Sequence, residues 1–331
     1  MLVSANEAAA VLDTFAAQSR AATVSPEFLL VDAKRIDEAE SMNWLYGEGE
    51  RKFLVFFHRK KIPGTNYYDI ESPYPYGGPI CNTEEQDFIE RANTAFGEWC
   101  RDHSIVVEFV RFHPMLRNWR FFRGQVTEDR LTVWVDLESN DLFSEYETRV
   151  RTAIRKAEKL GLAVDWARGR ESALQFRRLY CDAMRAVGAD EFYLFPPEYF
   201  EELIAWEKAE LALCRYNDHV IGGAIFLCDG GLLEYHLSGC DLEGRKYGAN
   251  TLILHQAAIR GKAAGLSRFY LGGGTDRQPQ NPLLFFKSGF SDHRAEFKYG
   301  ARIYLSAQYE QLKQQFSAQY KARPGRVLFY R

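Results

Sequence analysis

The 331-residue chain lacks an excess of either charge: 42 Lys and Arg meet 45 Asp and Glu, a formal net charge of −3. No global basic field exists to hold nucleic acid, so any such contact must come from a local patch. Paired cysteines are also lacking. Cys81, Cys100, Cys181, Cys214, Cys228 and Cys240 form no CxxC, which fits buried thiols in a reducing compartment. The seven histidines show neither HExxH nor a His-His ligand spacing, so no metal is expected. No apolar run approaches the ~20 residues that span a bilayer. The longest candidate, "VIGGAIFLC" (220–228), stops at Asp229. The start has no basic n-region and no long apolar h-region. It reads as an Ala-rich amphipathic helix rather than a signal peptide, and the expected location is the cytoplasm.

What the chain has is aromatic mass. Phe, Tyr and Trp make up 15% of it, within 46% hydrophobic residues. This composition reads as a soluble globular protein, long enough for two domains, with most rings in the core and some free to line a cleft. Helices alternate with β-rich runs, which implies α/β or α+β layers. Strands are expected at 52–61, 105–112 and 130–137, with extended chain and turns over 62–80, where Pro and Gly forbid a long element. Residues 83–103 read as a helix capped by Thr83, and 148–161 as a helix closed by Gly161. On the latter, Arg151, Arg155 and Lys159 share one cationic edge. A helical region follows over 171–206, broken at Pro196 and Pro197.

Three strands then come in quick order, 209–216, 220–228 and 232–240, joined by the turn sequences "NDH" and "DGG". A loop (241–248) leads into a helix (249–265) and a strand (267–273), the order of a right-handed parallel β-α-β unit. A short helix near 282–289, a hairpin pair over 294–306, and a tail of helix and short strand complete the reading.

This order of elements, with "LLEYHLSGCDLEGRKYGANTLILHQAAI" and "NPLLFFKSGF", resembles the GNAT superfamily of N-acetyltransferases. The resemblance implies that Arg245, Lys246, Gly248, Ala249 and Asn250 stand where a Q/R-x-x-G-x-G/A loop cradles a pyrophosphate on backbone N–H groups. Asn250 replaces the last small residue of that pattern. Phe285 falls where many members carry a proton-donating Tyr, and a Phe cannot serve. "TRVRTAIRKAEKLGLAV" followed by "LGGG" and "NPLLFFKSGF" is closer to the FemABX family, over about residues 50 to 305. That resemblance implies two tandem GNAT-like domains. Each would be a mostly antiparallel sheet with a parallel β-α-β unit, flanked by helices. Residues 1–140 form the first domain, completed by a returning tail at about 312–331, and 141–311 form the second.

The implied activity is transfer of an acyl or aminoacyl group onto an amine of a cell-envelope or polysaccharide precursor. Acyl-CoA or aminoacyl-tRNA would be co-substrate, and no cofactor is tightly bound. The acceptor would be a small-molecule, nucleotide-linked or lipid-linked amine, with tRNA as a further partner. Carried over by position, Lys287 faces the reacting centre and Arg151 and Arg155 grip a phosphate or carboxylate by the cleft. Asp69, Glu71 or a water would accept the amine's proton. Tyr74, Tyr76, Gly77 and Gly78, in the proline-stiffened "SPYPYGGP", would form an acceptor-binding wall. The alternative is a catalytically inactive protein of the same fold that binds a nucleotide-linked or CoA ligand. The stretch 109–124 interleaves Arg111, Arg117, Arg120 and Arg123 with rings and has no acid. Such a stretch holds a nucleotide or single strand, or makes a solvated face. Gly272-Gly273-Gly274 reads as a strand end that allows close approach of backbone.

Overall fold

The structure, a computed structural model, describes every residue except Pro324. The chain forms two compact units: Met1–Asp129 with Glu296–Arg331, and Arg130–Ala295. The sequence boundary at 140/141 and the return at about 312 stand beside this division at 129/130 and 295/296.

Unit 1 begins with β1 (Leu2–Val3), α1 (Ala5–Leu12) and α2 (Pro26–Ala33). Ser4 and Glu7 form a reciprocal capping box on α1, and Ser25 caps α2 ahead of Pro26. Then come β2 (Ala39–Glu48), β3 (Arg51–Lys61), β4 (Tyr68–Glu71), β5 (Ile80–Cys81), α3 (Gln86–Asp102) and β6 (Ile105–Arg111). β7 (Gln125–Asp136) carries the chain into unit 2. β1 through β4 pair antiparallel, while β4 and β6 pair in parallel around the crossover helix α3. Phe88, Ala92 and Phe96 of α3 pack with Trp44, Val55 and Phe57 on one face of this sheet. The N-cap of α3 is Glu85, not Thr83.

Unit 2 continues with α4 (Leu142–Glu145), α5 (Thr148–Lys159), β8 (Ala163–Ala167), α6 (Arg170–Ala186) and α7 (Pro197–Ala205). The meander β9 (Ala209–Tyr216), β10 (His219–Asp229) and β11 (Leu232–Cys240) follows. The crossover is α8 (Leu242–Tyr247) and α9 (Ala249–Ala263), which lead to β12 (Arg268–Gly273) and α10 (Pro282–Ser288). β8 to β11 are antiparallel neighbours, β11 and β12 are parallel, and β7 lies antiparallel to β12. β10 is central and buried from Ile221 to Leu227. A Cβ on Gly222 would stand 2.9 Å from Ala249 of α9, and one on Gly223 2.8 Å from Phe176 of α6. The glycine pair therefore lets a helix close on each face.

β13 (Arg294–Ile303) returns the chain to unit 1, where it pairs antiparallel with β6. The expected hairpin over 294–306 is this single strand. α11 (Ser306–Gln315) and α12 (Ser317–Ala322) follow, and Val327–Tyr330 is a turn where a short strand was expected. No helix among the described residues is long and apolar enough to cross a membrane.

Candidate functional site

β11 and β12 stay paired for three residues only, Leu232–Glu234 against Arg268–Tyr270. Beyond them the two parallel strands part. A bulge on β11 sharpens the departure: Ile225 pairs with Leu237 and Phe226 with Tyr235, so His236 is the extra residue. On the other side of the opening, β12 shifts register between Tyr270 and Gly272.

Lys287 occupies this opening. Its side chain reaches from α10 and its Nζ donates to Gly273 O at 2.9 Å, 5.7 Å from the centre of the Tyr235 ring. The residue is only 8% exposed. Burial drives its pKa from 10.5 down to about 7. No carboxylate contributes to that shift. At neutral pH the group therefore sits at the balance between amine and ammonium.

The glycine run makes room for this lysine. Gly272 has φ +80°, and a Cβ there would stand 3.2 Å from Lys287 Nζ. A Cβ on Gly274 would stand 2.5 Å from Asn281 Oδ1. Asn281 is buried and starts α10. Its Oδ1 accepts from Leu283 N and Leu284 N at 3.0 and 3.1 Å, and its Nδ2 donates to Thr275 Oγ1 at 2.7 Å. Pro282 at the first helical position completes the start. Phe286 and Phe290 pack into the core with Tyr146, and that packing aims Lys287 inward. Phe285 faces outward, 60% exposed, with Arg149 3.8 Å above its ring centre.

The segment expected to cradle a pyrophosphate is built differently. Residues 242–247 are not a loop but the helix α8, capped by Asp241, whose Oδ1 accepts from Gly244 N at 2.7 Å. Gly248 N donates back to Gly244 O at 3.0 Å. These backbone groups are thus spent within the turn. Arg245 and Lys246 lie exposed on its last turn, and Lys156 of α5 donates to Lys246 O at 3.0 Å. Gly248 is left-handed, and its Cβ position lies 3.6 Å from Ala153 O of α5. Ala249 is buried against Gly222, and Asn250 is half-buried with its Oδ1 out of solvent and unpartnered. Helix α5 thus lies against the α8–α9 junction.

Of the two cationic candidates on α5, Arg151 is committed locally. It donates to Ser144 O at 2.9 Å, to Tyr146 O and to Thr148 Oγ1. Arg155 is exposed over the Phe143 ring at 5.1 Å.

The remaining candidates belong to unit 1. Asp69 and Glu71 lie on β4, a short strand within the span read as extended chain and turns. Asp69 is fully buried, and burial pushes its pKa up against the pull of Arg331. It accepts from Tyr330 Oη at 2.8 Å and from Arg331 Nη2 at 2.8 and 2.9 Å. Glu71 is ion-paired to Lys60. Gly77 and Gly78 are buried packing points against Ser72, Pro73 and Val110, while Tyr74 and Tyr76 are half-buried. Tyr76 meets His113 and Phe297 edge-on at 5.1 and 5.7 Å. A charged cluster that sequence reading missed adjoins Tyr74. In it, Asp32 binds Arg35 through two bonds of 2.5 and 2.9 Å, His58 at 2.9 Å and Tyr74 N at 3.1 Å. Arg35 lies three residues from Asp32, but His58 and Tyr74 lie 26 and 42 residues away, so no local spacing marks the whole cluster.

A mostly antiparallel sheet that parts beside a parallel crossover is the core of the GNAT fold, and this chain carries it in tandem. Residues 144–280 match the family model described as an acetyltransferase (GNAT) domain. Among solved structures, FemX has the same fold with a TM-score of 0.72 at 15% identity, over 95% of this chain and 99% of its own. The C-terminal domain of a putative lysylphosphatidylglycerol synthetase from Agrobacterium fabrum follows at 0.60 and 13%, over 96% and 95%. A tandem GNAT protein from the clavulanic acid biosynthesis pathway matches at 0.50 and 11%, over 92% and 98%. No curated protein matches the chain in sequence.

Proposed function

We propose that the chain is an aminoacyl or acyl transferase that joins an activated carbonyl to an amine in the opening between β11 and β12. The observation that carries this reading is Lys287, a desolvated amine held by one backbone carbonyl where the strands part. The amine nitrogen attacks the carbonyl carbon, and an N–C bond forms as the bond to the departing oxygen or sulfur breaks. The proton lost by the amine reaches the leaving group, directly or through water. Negative charge develops on the carbonyl oxygen meanwhile. A preorganised ammonium in a dry site stabilises that oxyanion far better than it would in water. Lys287 then holds its proton more tightly as the oxyanion forms, so stabilisation is greater in the transition state than in the ground state.

The donor we infer is an aminoacyl ester such as aminoacyl-tRNA, rather than acyl-CoA. Support comes from α8, in which Gly244 N and Gly248 N bond within the turn, and from α5 against the α8–α9 junction. The kinship in fold with FemX and a putative lysylphosphatidylglycerol synthetase points the same way. The acceptor is an amine on a cell-envelope or polysaccharide precursor. The test offers the purified protein charged tRNA or acyl-CoA with a panel of amines, and follows products by mass spectrometry. New amide from the ester donor supports the reading; amide from CoA alone overturns the donor assignment, and none from either overturns the enzyme.

A further inference from the structure

We propose that Lys287 is also an acylation site: when no acceptor amine is bound, its own Nζ takes the acyl group from an activated ester. The geometry begins with isolation. Lys287 is the only buried lysine among the described residues. Four other lysines are held as ammonium by carboxylates: Lys60 by Glu71, Lys208 by Asp229, Lys298 by Glu128 and Glu296, and Lys313 by Glu310. Lys287 has no such partner. Gly273 O is the one hydrogen-bond partner of its Nζ among the described residues, at 2.9 Å. A carbonyl takes an N–H and leaves the lone pair of a neutral amine unengaged.

The charged and titratable groups around it leave the amine form in place. Arg130 of β7 and Arg149 of α5 are turned to carbonyls, Gly274 O at 2.9 Å and Phe285 O at 2.6 Å. The phenol of Tyr235 on β11 is pushed up by burial and stays neutral. Desolvation alone brings the pKa of Lys287 to about 7. About half of it is therefore free amine at pH 7, against less than about one part in 10³ for a lysine in water. A desolvated lysine amine is a nucleophile. The missing Cβ of Gly272, whose position is 3.2 Å from Nζ, leaves room beside the nitrogen. The nitrogen attacks the ester carbonyl carbon and an N–C bond forms. The bond to the departing oxygen breaks, and the amine's proton passes to that oxygen through water. The product is an uncharged amide on Lys287, which no longer stabilises the oxyanion of transfer. That the acyl source is an aminoacyl ester rests on the transferase reading; the reactivity of the amine does not.

The experiment treats the full chain with 4-nitrophenyl acetate, a small activated ester, between about pH 6 and pH 10. Peptide mass spectrometry measures the acetylation of each lysine. At pH 7 Lys287 is expected to react about tenfold or more faster than the exposed Lys61 and Lys159. Its rate should level off above about pH 8, while theirs keep rising. A second arm offers charged tRNA without an acceptor amine. An aminoacyl adduct on Lys287 supports both the acylation site and the proposed donor. Acetyl from the small ester with no aminoacyl from tRNA upholds the acylation site and counts against the tRNA donor. Lys287 labelled no faster than the exposed lysines at pH 7, or at a rate still rising near about pH 10, overturns the proposal.

Discussion

Replacing Lys287 by Met should make the protein more stable at neutral pH while it slows transfer. Its pKa falls from 10.5 in water to about 7 in the fold, and at 1.36 kcal/mol per unit the cost of burying the ammonium is about 5 kcal/mol. The unfolded chain binds a proton here between pH 7 and 10.5 that the folded chain does not, so stability rises with pH across that window. The full penalty applies below about pH 7 and is gone above about 10.5. Methionine fills a similar volume and carries no charge. It gives up the bond to Gly273 O, worth about 1 kcal/mol, so a net gain of several kcal/mol remains at pH 7. About 2 kcal/mol of that gain should disappear between pH 7 and pH 9. Urea unfolding of both proteins at the two pH values measures it. A variant less stable than wild type at pH 7, with no change in the difference at pH 9, would refute the claim that Lys287 is desolvated.

Gly272→Ala places a Cβ at φ +80°, 3.2 Å from Lys287 Nζ; it should cost about 1–2 kcal/mol in urea unfolding and lower transfer more than Gly161→Ala, whose Cβ meets nothing. Asn281→Ala removes the cap of α10 and should cost about 1 kcal/mol, with amide exchange speeding up first at Leu283 and Leu284. Glu108 is buried beneath Tyr304 with its pKa raised to about 7 by burial. The folded state therefore binds more protons between about pH 4.5 and 7, and stability falls by about 3 kcal/mol across that range. Glu108→Gln should flatten that slope in melting curves taken at each pH.

The crossover β11–α9–β12 was legible because its strands, turns and helix each obey a local period, and Gly265 ends the helix as sequence implied. β4 was not. It is four residues long, flanked by prolines and glycines, and it carries the carboxylates Asp69 and Glu71 on the face opposite the core residue Ile70. Those carboxylates are tolerated there only because Lys60 and Arg331 reach them from elsewhere in the chain. α8 was read as a loop because Gly244 sits in its middle. The glycine is there for space, since a Cβ would stand 2.1 Å from Ile221 O. Lys287 was singled out by position between Phe286 and Phe290, but its burial follows from the parting of two strands, which no short stretch encodes.

The most direct test is single-turnover transfer from a charged tRNA to an amine acceptor, wild type against Lys287→Met, with folding confirmed for both. The account predicts that the chemical step slows by about 10²–10³ while donor binding is little changed. Equal rates in the two proteins would contradict it.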